Sequence, residues 1–539
     1  MLSLMMDVPL LISAIIDHAA EAHGSTEIVS RTVEGGIYRY DYRRVRARAL
    51  RLASALTRLG VAKGDRVGSL AWNTHHHLEL FYGVSGMGAV LHTANPRLPR
   101  EQLAWVVNHA ADSYLFIDAQ TLTIAEAIAP LLRSVKGFIY MTAEDRMPGS
   151  QLQNLLSYEA LLAAEGDDYV WPEFDERSAS TLCYTSGTTG NPKGVLYSHR
   201  ASTLSALSYS MADTFGGYRQ GMLDAIMPIT PMFHGNAWQM PYTAPMNGYK
   251  LVLPGRNFEP EKIYELIESE GVTLTAGVPA VWQLLVNYLD DANLRFSTLR
   301  ATLMSGSKPS RLLLEKLEGT YGIAVSQIWG MTEAPATLKG SLRPGLGNLD
   351  LRERVDWKLK QGRLNFGTRF RIVDETGTPL PHDGQTTGRL LVRGPWIAKN
   401  YYRQNEVDFE WLDTGDIARI RPDGYIEVTD RAKDVIKSGG EWISSLELEH
   451  AAMEHPDVQR VAVIAVPHQK WDERPLMLVV GKPGTVPDPA ALRTHLAGRI
   501  APWWLPDAIL FVDDIPLTAA GKIHKVALRE QYRDYKVTT

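Results

Sequence analysis

Residues 184–194 read Tyr-Thr-Ser-Gly-Thr-Thr-Gly-Asn-Pro-Lys-Gly, a stretch rich in hydroxyls, glycine and charge but poor in groups that pack. Gly187, Gly190 and Gly194 allow sharp bends and close approach of the backbone to a ligand. Thr185, Ser186, Thr188 and Thr189 supply hydroxyl donors, and Lys193 adds a mobile positive charge. This inventory fits a polyphosphate cradle, and it fits a solvated Ser/Thr/Gly turn as well. It is not a Walker A loop, in which Gly-Lys-Ser/Thr runs straight into a helix; here Gly194 and a strand-like run follow Lys193.

Other stretches carry chemistry in turn-rich settings. Residues 325–333, Val-Ser-Gln-Ile-Trp-Gly-Met-Thr-Glu, read as a short strand turning through Gly330, and Glu333 beyond that turn is a carboxylate of the kind that ligates Mg2+. Asp416, in Leu-Asp-Thr-Gly-Asp at 412–416, suits bidentate acceptance of two ribose hydroxyls or a plain Asp-Gly turn. Residues 231–238, Pro-Met-Phe-His-Gly-Asn-Ala-Trp, mix aromatic and polar groups as a pocket wall does, and as an aromatic cluster at a helix start does. The consecutive histidines 75–77 have no acidic or Cys partner at ligand spacing and read as an exposed helix start. Lys522, after Gly521, reads from composition as a surface lysine.

The elements needed to hold these groups are legible around them. Residues 180–184 and 195–198 have strand composition and grip the loop from both sides. Residues 40–60 have helical periodicity, and strand-like runs at 66–71, 89–93, 113–117 and 137–141 alternate with helical segments. That alternation predicts a layered α/β domain with largely parallel sheets. Strands at 272–278 and 301–304 end in Pro279 and in Ser305-Gly306-Ser307, at the strand ends where open α/β sheets bind ligands. Strand-like runs at 370–374, 388–393 and 425–429 predict a small β subdomain, and 344–363 is charged without a clear period. At 430–443 the chain turns charged, then glycine-rich, which marks a domain boundary before a compact α+β domain of about 110 residues.

With 539 residues, more than one domain is required. A net charge of −5 without a basic stripe argues against nucleic acid as a partner. Cys183 is the only cysteine, so neither an intrachain disulfide nor a multi-Cys metal site is possible, and a reducing, cytoplasmic setting is expected. The apolar N-terminus carries Asp7, lacks a basic region and leads into an amphipathic stretch, which predicts a docking helix. No apolar run reaches the roughly 18 residues of a spanning helix, so a soluble protein is expected.

Taken together, these stretches resemble the adenylate-forming superfamily, and within it the bacterial medium- and long-chain fatty acyl-CoA ligases. The resemblance spans nearly the whole chain. It rests on residues 184–194, 327–333, 413–416, 430–434, 437–443 and Gly521-Lys522, in family order and at family-like spacing. It implies a large N-terminal domain over 1–429 with layered sheets and a β subdomain, a hinge at 430–435 and a mobile C-terminal domain over 436–539. It implies two half-reactions: a carboxylate attacks the α-phosphorus of ATP to give an acyl-adenylate and pyrophosphate, and the thiol of coenzyme A then displaces AMP.

In such an enzyme Lys522 bridges the carboxylate and the α-phosphate in the adenylating state. Thr185, Ser186, Gly187, Thr188, Thr189, Gly190 and Lys193 hold the β- and γ-phosphates, and Thr185 with Glu333 places Mg2+. Ser305, Gly306 and Ser307, with Gln327, Ile328, Trp329, Gly330, Met331 and Thr332, resemble the adenine and α-phosphate wall; Asp416 and Arg431 resemble the ribose grip. Rotation about the hinge then brings Lys433, Asp434, Lys437, Gly439, Gly440, Glu441, Trp442 and Glu473 to a thiolation face for coenzyme A.

The acyl pocket is implied at His234, Gly235, Trp238, Trp329 and Pro335, with Trp238 at the position of an aromatic gate. Trp329 stands where many relatives have tyrosine, Ser305 replaces a common glycine and Lys308 adds a charge, departures expected to narrow or polarise that pocket toward short or medium acids. Methylmercaptopropionate-CoA ligases share this subgroup and offer the rival substrate. Loading of a carrier protein and a luciferase-like oxygenase are the readings outside the class, and the resembling ligases imply a homodimer.

Overall fold

The computed structural model describes residues 4–185, 191–211, 225–335, 337–340, 342–343, 345–346, 348–404, 408–439, 441–485, 488–517 and 523–535. Among these, two large sheets are parallel except at one edge each. One runs Leu155–Ser157, Gly137–Tyr140, Asp112–Ile117, Arg66–Leu70, Val90–Thr93, Ala179–Tyr184 and Gly194–Ser198. The other runs Ala324–Gln327, Ala301–Met304, Leu274–Gly277, Ala225–Pro228, Lys250–Leu253, Glu27–Arg31 and Ile37–Asp41. Strands such as Val90–Thr93 and Asp112–Ile117 are buried at every position. They therefore read as continuous runs rather than alternating ones, as parallel strands covered on both faces do.

The main core cluster joins residues of both sheets, among them Val67, Leu91, Ile139, Ile28, Leu251 and Leu274, to helices lying between them. Asp41 caps helix Tyr42–Arg58 by accepting from Arg44 N–H, and Tyr42, Val45, Ala49, Leu52, Ala53 and Leu56 line its buried face. Helix His75–Gly86 crosses it closely enough that a Cβ on Gly83 would lie 2.6 Å from Leu52 Cδ2. The predicted docking helix begins at Ile12 and ends at Ala22; Leu4, Met5, Met6 and Val8 precede it in exposed positions.

The histidines do begin a helix, but they are not exposed. His75 and His77 are buried, and His76 Nε2 lies 2.9 Å from Glu159, an acidic partner brought from 83 residues away. His75, His76 and Glu159 thus gather at metal-ligand distances. Arg48 nevertheless donates to both Glu159 oxygens, at 2.7 and 3.0 Å, and to Glu79, so the carboxylates already belong to a salt-bridge network.

The β subdomain is an antiparallel sheet of Leu338–Lys339, Gly362–Leu364, Tyr425–Arg431, Leu412–Ile420, Thr387–Arg393 and Arg369–Val373. Residues 413–416 lie inside its long strand Leu412–Ile420 and still make a local turn there, Gly415 at φ 68° donating its N–H to Asp413 Oδ1 at 2.9 Å. The charged segment before it forms helix Leu351–Lys358, closed by a reciprocal Asp350/Glu353 capping box.

Strand Tyr425–Arg431 runs through the expected boundary, and the next strand, Ile436–Ser438, belongs to a separate sheet. The chain therefore changes sheets over 432–435. The C-terminal sheet centres on the hairpin of Val458–His468 and Asp472–Gly481, covered by helices Ser445–Met453, Pro489–Leu496 and Lys525–Gln531.

Candidate nucleotide and acyl site

The strands Ala179–Tyr184 and Gly194–Ser198 pair antiparallel and close the neck of the 184–194 loop. Thr185 N–H donates to the Lys193 carbonyl at 2.9 Å, and Lys193 N–H donates to Thr185 Oγ1 at 3.1 Å. Ser186, Gly187, Thr188, Thr189 and Gly190 lie outside the described residues. Cys183 is buried beneath the neck with Sγ 3.9 Å from the Phe233 carbonyl, consistent with a packing role.

Glu333 sits in a tight turn in which Met331 and Ala334 exchange backbone hydrogen bonds at 3.1 and 3.0 Å. Tyr197, on the strand after the loop, donates its hydroxyl to the Thr332 carbonyl, tying this turn to the hairpin. Tyr401 completes the arrangement. Its hydroxyl donates to Glu333 Oε1 at 2.7 Å, and Lys193 Nζ lies over its ring, 4.6 Å from the centroid. The hydroxyl of Thr185 and the buried carboxylate of Glu333 are hard oxygen donors of the type Mg2+ takes, and Tyr401 engages Oε1 alone.

On the neighbouring strand ends, Ser305 is buried, Ser307 is exposed, and Gly306 adopts φ +89° with Val278 Cγ1 3.1 Å from where a Cβ would stand. Only glycine fits that bend comfortably. Gln327 closes strand Ala324–Gln327 with its Oε1 buried and without a hydrogen-bond partner among the described residues, and Ile328 N–H donates to the Met304 carbonyl at 2.8 Å. Gly330 and Met331 lead from this strand end into the Glu333 turn.

Trp329 is turned toward the β subdomain. Its ring packs edge-on against Phe370 in the β subdomain core, and its indole N–H donates to Asp416 Oδ2 at 2.9 Å. Asp416 is 1% exposed, and Arg431 pairs with its other oxygen at 3.0 Å. Burial lowers the pKa of Lys308, and the charges of Glu427 and Glu447 oppose that shift.

The 231–238 stretch runs into a tight helical turn, Gly235–Gln239, that leads into helix Met240–Asn247. His234 N–H donates to the Pro231 carbonyl at 3.0 Å, and Ala237 N–H donates to the His234 carbonyl at 2.9 Å. Gly235, Ala237, Trp238 and Gln239 all have φ between 50° and 65°. For the three non-glycine residues this left-handed backbone costs about 1–2 kcal/mol each, strain of a kind that persists where surrounding contacts enforce it. One such contact is Asn73, fully buried, which accepts from Met232 N–H at 2.7 Å and donates to the carbonyls of Pro228 and Thr230 at 3.0 and 2.9 Å. Trp238 packs partly buried on the main core, and Pro335 is buried behind the Glu333 turn.

Where the chain changes sheets, a buried polar cluster forms. Lys525 Nζ lies 2.7 Å from Glu449 Oε1 and 2.7 Å from Ser445 Oγ, and Ser445 donates from N–H and hydroxyl to Asp430. Burial opposes the Lys525 charge, but Glu449, Asp430 and Asp434 outweigh it and raise its pKa. Asp434 pairs with Arg529 at 2.8 Å, and burial lowers the pKa of Lys433. Lys437 donates N–H to Glu473 at 2.8 Å and pairs through Nζ with Glu375 at 3.0 Å, while Trp442 faces Lys437 across the hairpin. Gly439 has φ 59°, and a Cβ there would meet Trp471 at 2.7 Å. Gly440, Gly521, Lys522 and the side chain of Glu441 lie outside the described residues.

Three sets of expected residues are thus brought together: Thr185 with Lys193, which meets Glu333 across Tyr401; Trp329, Asp416 and Arg431; and Lys437 with Glu473. Tyr401, Tyr197, Asn73 and the Lys525–Glu449 pair were not foreseen. Their partners lie far along the chain, 68 residues away for Tyr401 and Glu333 and 159 for Asn73 and Met232, and no local spacing encodes them.

This fold and this clustering of phosphate-loop and ribose-type groups define a class. The chain belongs to the AMP-binding enzyme family, which matches residues 16–402, with the C-terminal domain of AMP-binding enzymes matching 447–522. Among curated relatives, it is 44% identical to the 3-methylmercaptopropionyl-CoA ligase of Ruegeria lacuscaerulensis over 99% of both chains. It is 42% identical to the medium-chain-fatty-acid–CoA ligase of Ectopseudomonas oleovorans, over 99% of this chain and 98% of that one. The anthranilate CoA ligase AuaEII, solved with anthranoyl-AMP, shares the fold with a TM-score of 0.84 at 23% identity, covering 98% of each chain.

Proposed function

We propose that the chain is an AMP-forming acyl-CoA ligase that activates a short- to medium-chain carboxylic acid with ATP and transfers the acyl group to coenzyme A. The observation that carries this reading is the meeting of Lys193, Glu333 and Tyr401 at the mouth of the loop, one strand end away from the Trp329–Asp416–Arg431 cluster. The first group offers charge for a triphosphate, and the second offers a fixed carboxylate for ribose hydroxyls. The ligase names of both reported relatives support the same activity.

In this reading the acid and ATP, both anions, must be aligned and their charge neutralised. Lys193 and the loop bind the β- and γ-phosphates, and Asp416 with Arg431 orients the ribose. Lys522 meets the carboxylate and the α-phosphate; its loss costs on the order of 10²–10³ in adenylation rate. Thr185 and Glu333 are the residues that would hold Mg2+, which would supply charge neutralisation of the phosphates. The carboxylate oxygen attacks the α-phosphorus and pyrophosphate leaves. The chain then turns at 430–435, carrying Lys522 away and the Lys437–Trp442 hairpin inward, and the coenzyme A sulfur attacks the acyl carbonyl with AMP as leaving group. The domain limits 1–429 and 436–539 follow from that motion.

Trp238 and Gly235, on the strained turn, line the acyl end in this reading. A short- to medium-chain preference includes thioether acids such as methylmercaptopropionate, and identity of 44% and 42% to the two ligase types does not separate them. A panel of acids from acetate to palmitate plus methylmercaptopropionate, scored by pyrophosphate release and coenzyme A thioester, tests the proposal. Preference for aromatic acids would refute the substrate class, and thioester formation only on a carrier protein would refute coenzyme A as acceptor. A reducing cytoplasmic setting and a homodimer accompany the reading; among the described residues no helix is long and apolar enough to cross a membrane.

A further inference from the structure

We infer that Tyr401 is a positioning residue for the phosphate chemistry, with its hydroxyl fixing the Glu333 carboxylate and its ring face holding the Lys193 ammonium. The inference rests on the reading in which those two groups serve magnesium triphosphate. The phenol donates to Glu333 Oε1 at 2.7 Å while Lys193 Nζ stands 4.6 Å from the ring centroid, so one rigid side chain touches both charges.

The segment that carries Tyr401 is itself anchored at both ends to the site. Ala398 N–H donates to the Glu333 carbonyl at 2.8 Å, and Tyr402 N–H donates to the Gly194 carbonyl at 2.8 Å. Between them Ala398 and Tyr401 pack on Cys183, Val195 and Tyr197, the hairpin that bears the loop. The ring therefore cannot drift relative to either partner. Its placement also does something a simple packing residue would not: an aromatic face attracts an ammonium without neutralising it. The lysine is held near the loop mouth by the ring face, and the carboxylate is held by the phenol hydrogen bond. Without the ring, Lys193 and Glu333 are free to pair with each other, which would withdraw both from the triphosphate.

Tyr401→Phe and Tyr401→Leu separate the two contacts in the full-length protein. ATP binding is measured by calorimetry without acid or coenzyme A, once in EDTA and once in saturating Mg2+, with melting temperature as the control for folding. Y401F keeps the ring: we expect unchanged affinity in EDTA, a loss of roughly three- to tenfold in the gain that Mg2+ gives, and recovery of turnover at high Mg2+. Y401L loses the ring as well and should weaken ATP in EDTA by roughly tenfold further. Y401F indistinguishable from wild type in its Mg2+ gain overturns the inference, as does an equal loss with and without Mg2+ in both variants. Should Y401L fail to fold, Y401F decides alone. A wild type that binds ATP but releases no pyrophosphate with any acid refutes the ligase reading, and the binding comparison still decides the role of Tyr401.

Discussion

The indole N–H of Trp329 lies 2.9 Å from Asp416 Oδ2, so the residue that begins the Gly330 turn also fixes a carboxylate on a different sheet. With Arg431 on Oδ1 at 3.0 Å, both carboxylate oxygens are oriented, as the proposed ribose contact requires. Trp329→Phe keeps the packing on Phe370 and removes the donor. It should raise KM for ATP roughly tenfold with kcat little changed. Preference for ATP over 2′- and 3′-deoxy-ATP should shrink by a similar factor. Steady-state kinetics on the three nucleotides checks this; an intact preference would refute it.

Lys522→Ala should separate the half-reactions. Pyrophosphate release falls on the order of 10²–10³, while thioester formation from supplied acyl-adenylate survives. Rapid-quench assays of each half-reaction measure the two, and equal damage to both contradicts the rotation at 430–435.

Two buried histidines should make stability fall with acid. Burial pushes both His77 and His199 down to about 4, and His199 Nδ1 accepts from Ile12 N–H, which requires the neutral ring. Between pH 6.5 and 4 the unfolded chain binds protons that the native state refuses, so stability rises with pH across that window and is lost as pH falls through it. At pH 5 each ring accounts for about 2 kcal/mol. Urea unfolding at pH 7 and pH 5 tests this, and His199→Gln should flatten part of the slope.

The Lys525–Glu449 pair should behave as a buried pair. Lys525→Met leaves an unpaired carboxylate and should destabilise the C-terminal unit by about 3–5 kcal/mol. Adding Glu449→Gln should restore much of the loss, which a double-mutant cycle reads directly. Additive losses would show the pair to be incidental.

The fold was largely legible because parallel strands buried on both faces leave continuous runs, as at 90–93 and 112–117, and because the loop at 184–194 carries its chemistry in consecutive residues. At 413–416 the turn composition is expressed as a kink inside the strand Leu412–Ile420, where Gly415, at φ 68°, donates its N–H to Asp413 Oδ1 at 2.9 Å. The Trp329 contacts with Phe370 and Asp416 were not legible, because those partners lie 41 and 87 residues further along the chain. Tyr401 had no local sign at all, since both of its charged partners arrive from other segments of the chain.

Cys183 turns the neck of the loop into something that can be timed. It is the sole thiol in the chain and 1% exposed, in the strand that feeds the phosphate loop. A thiol reagent reaches it only when that hairpin opens, so its labelling rate is a native clock for local unfolding at the nucleotide end. ATP that grips the loop should slow the clock, without any engineered label.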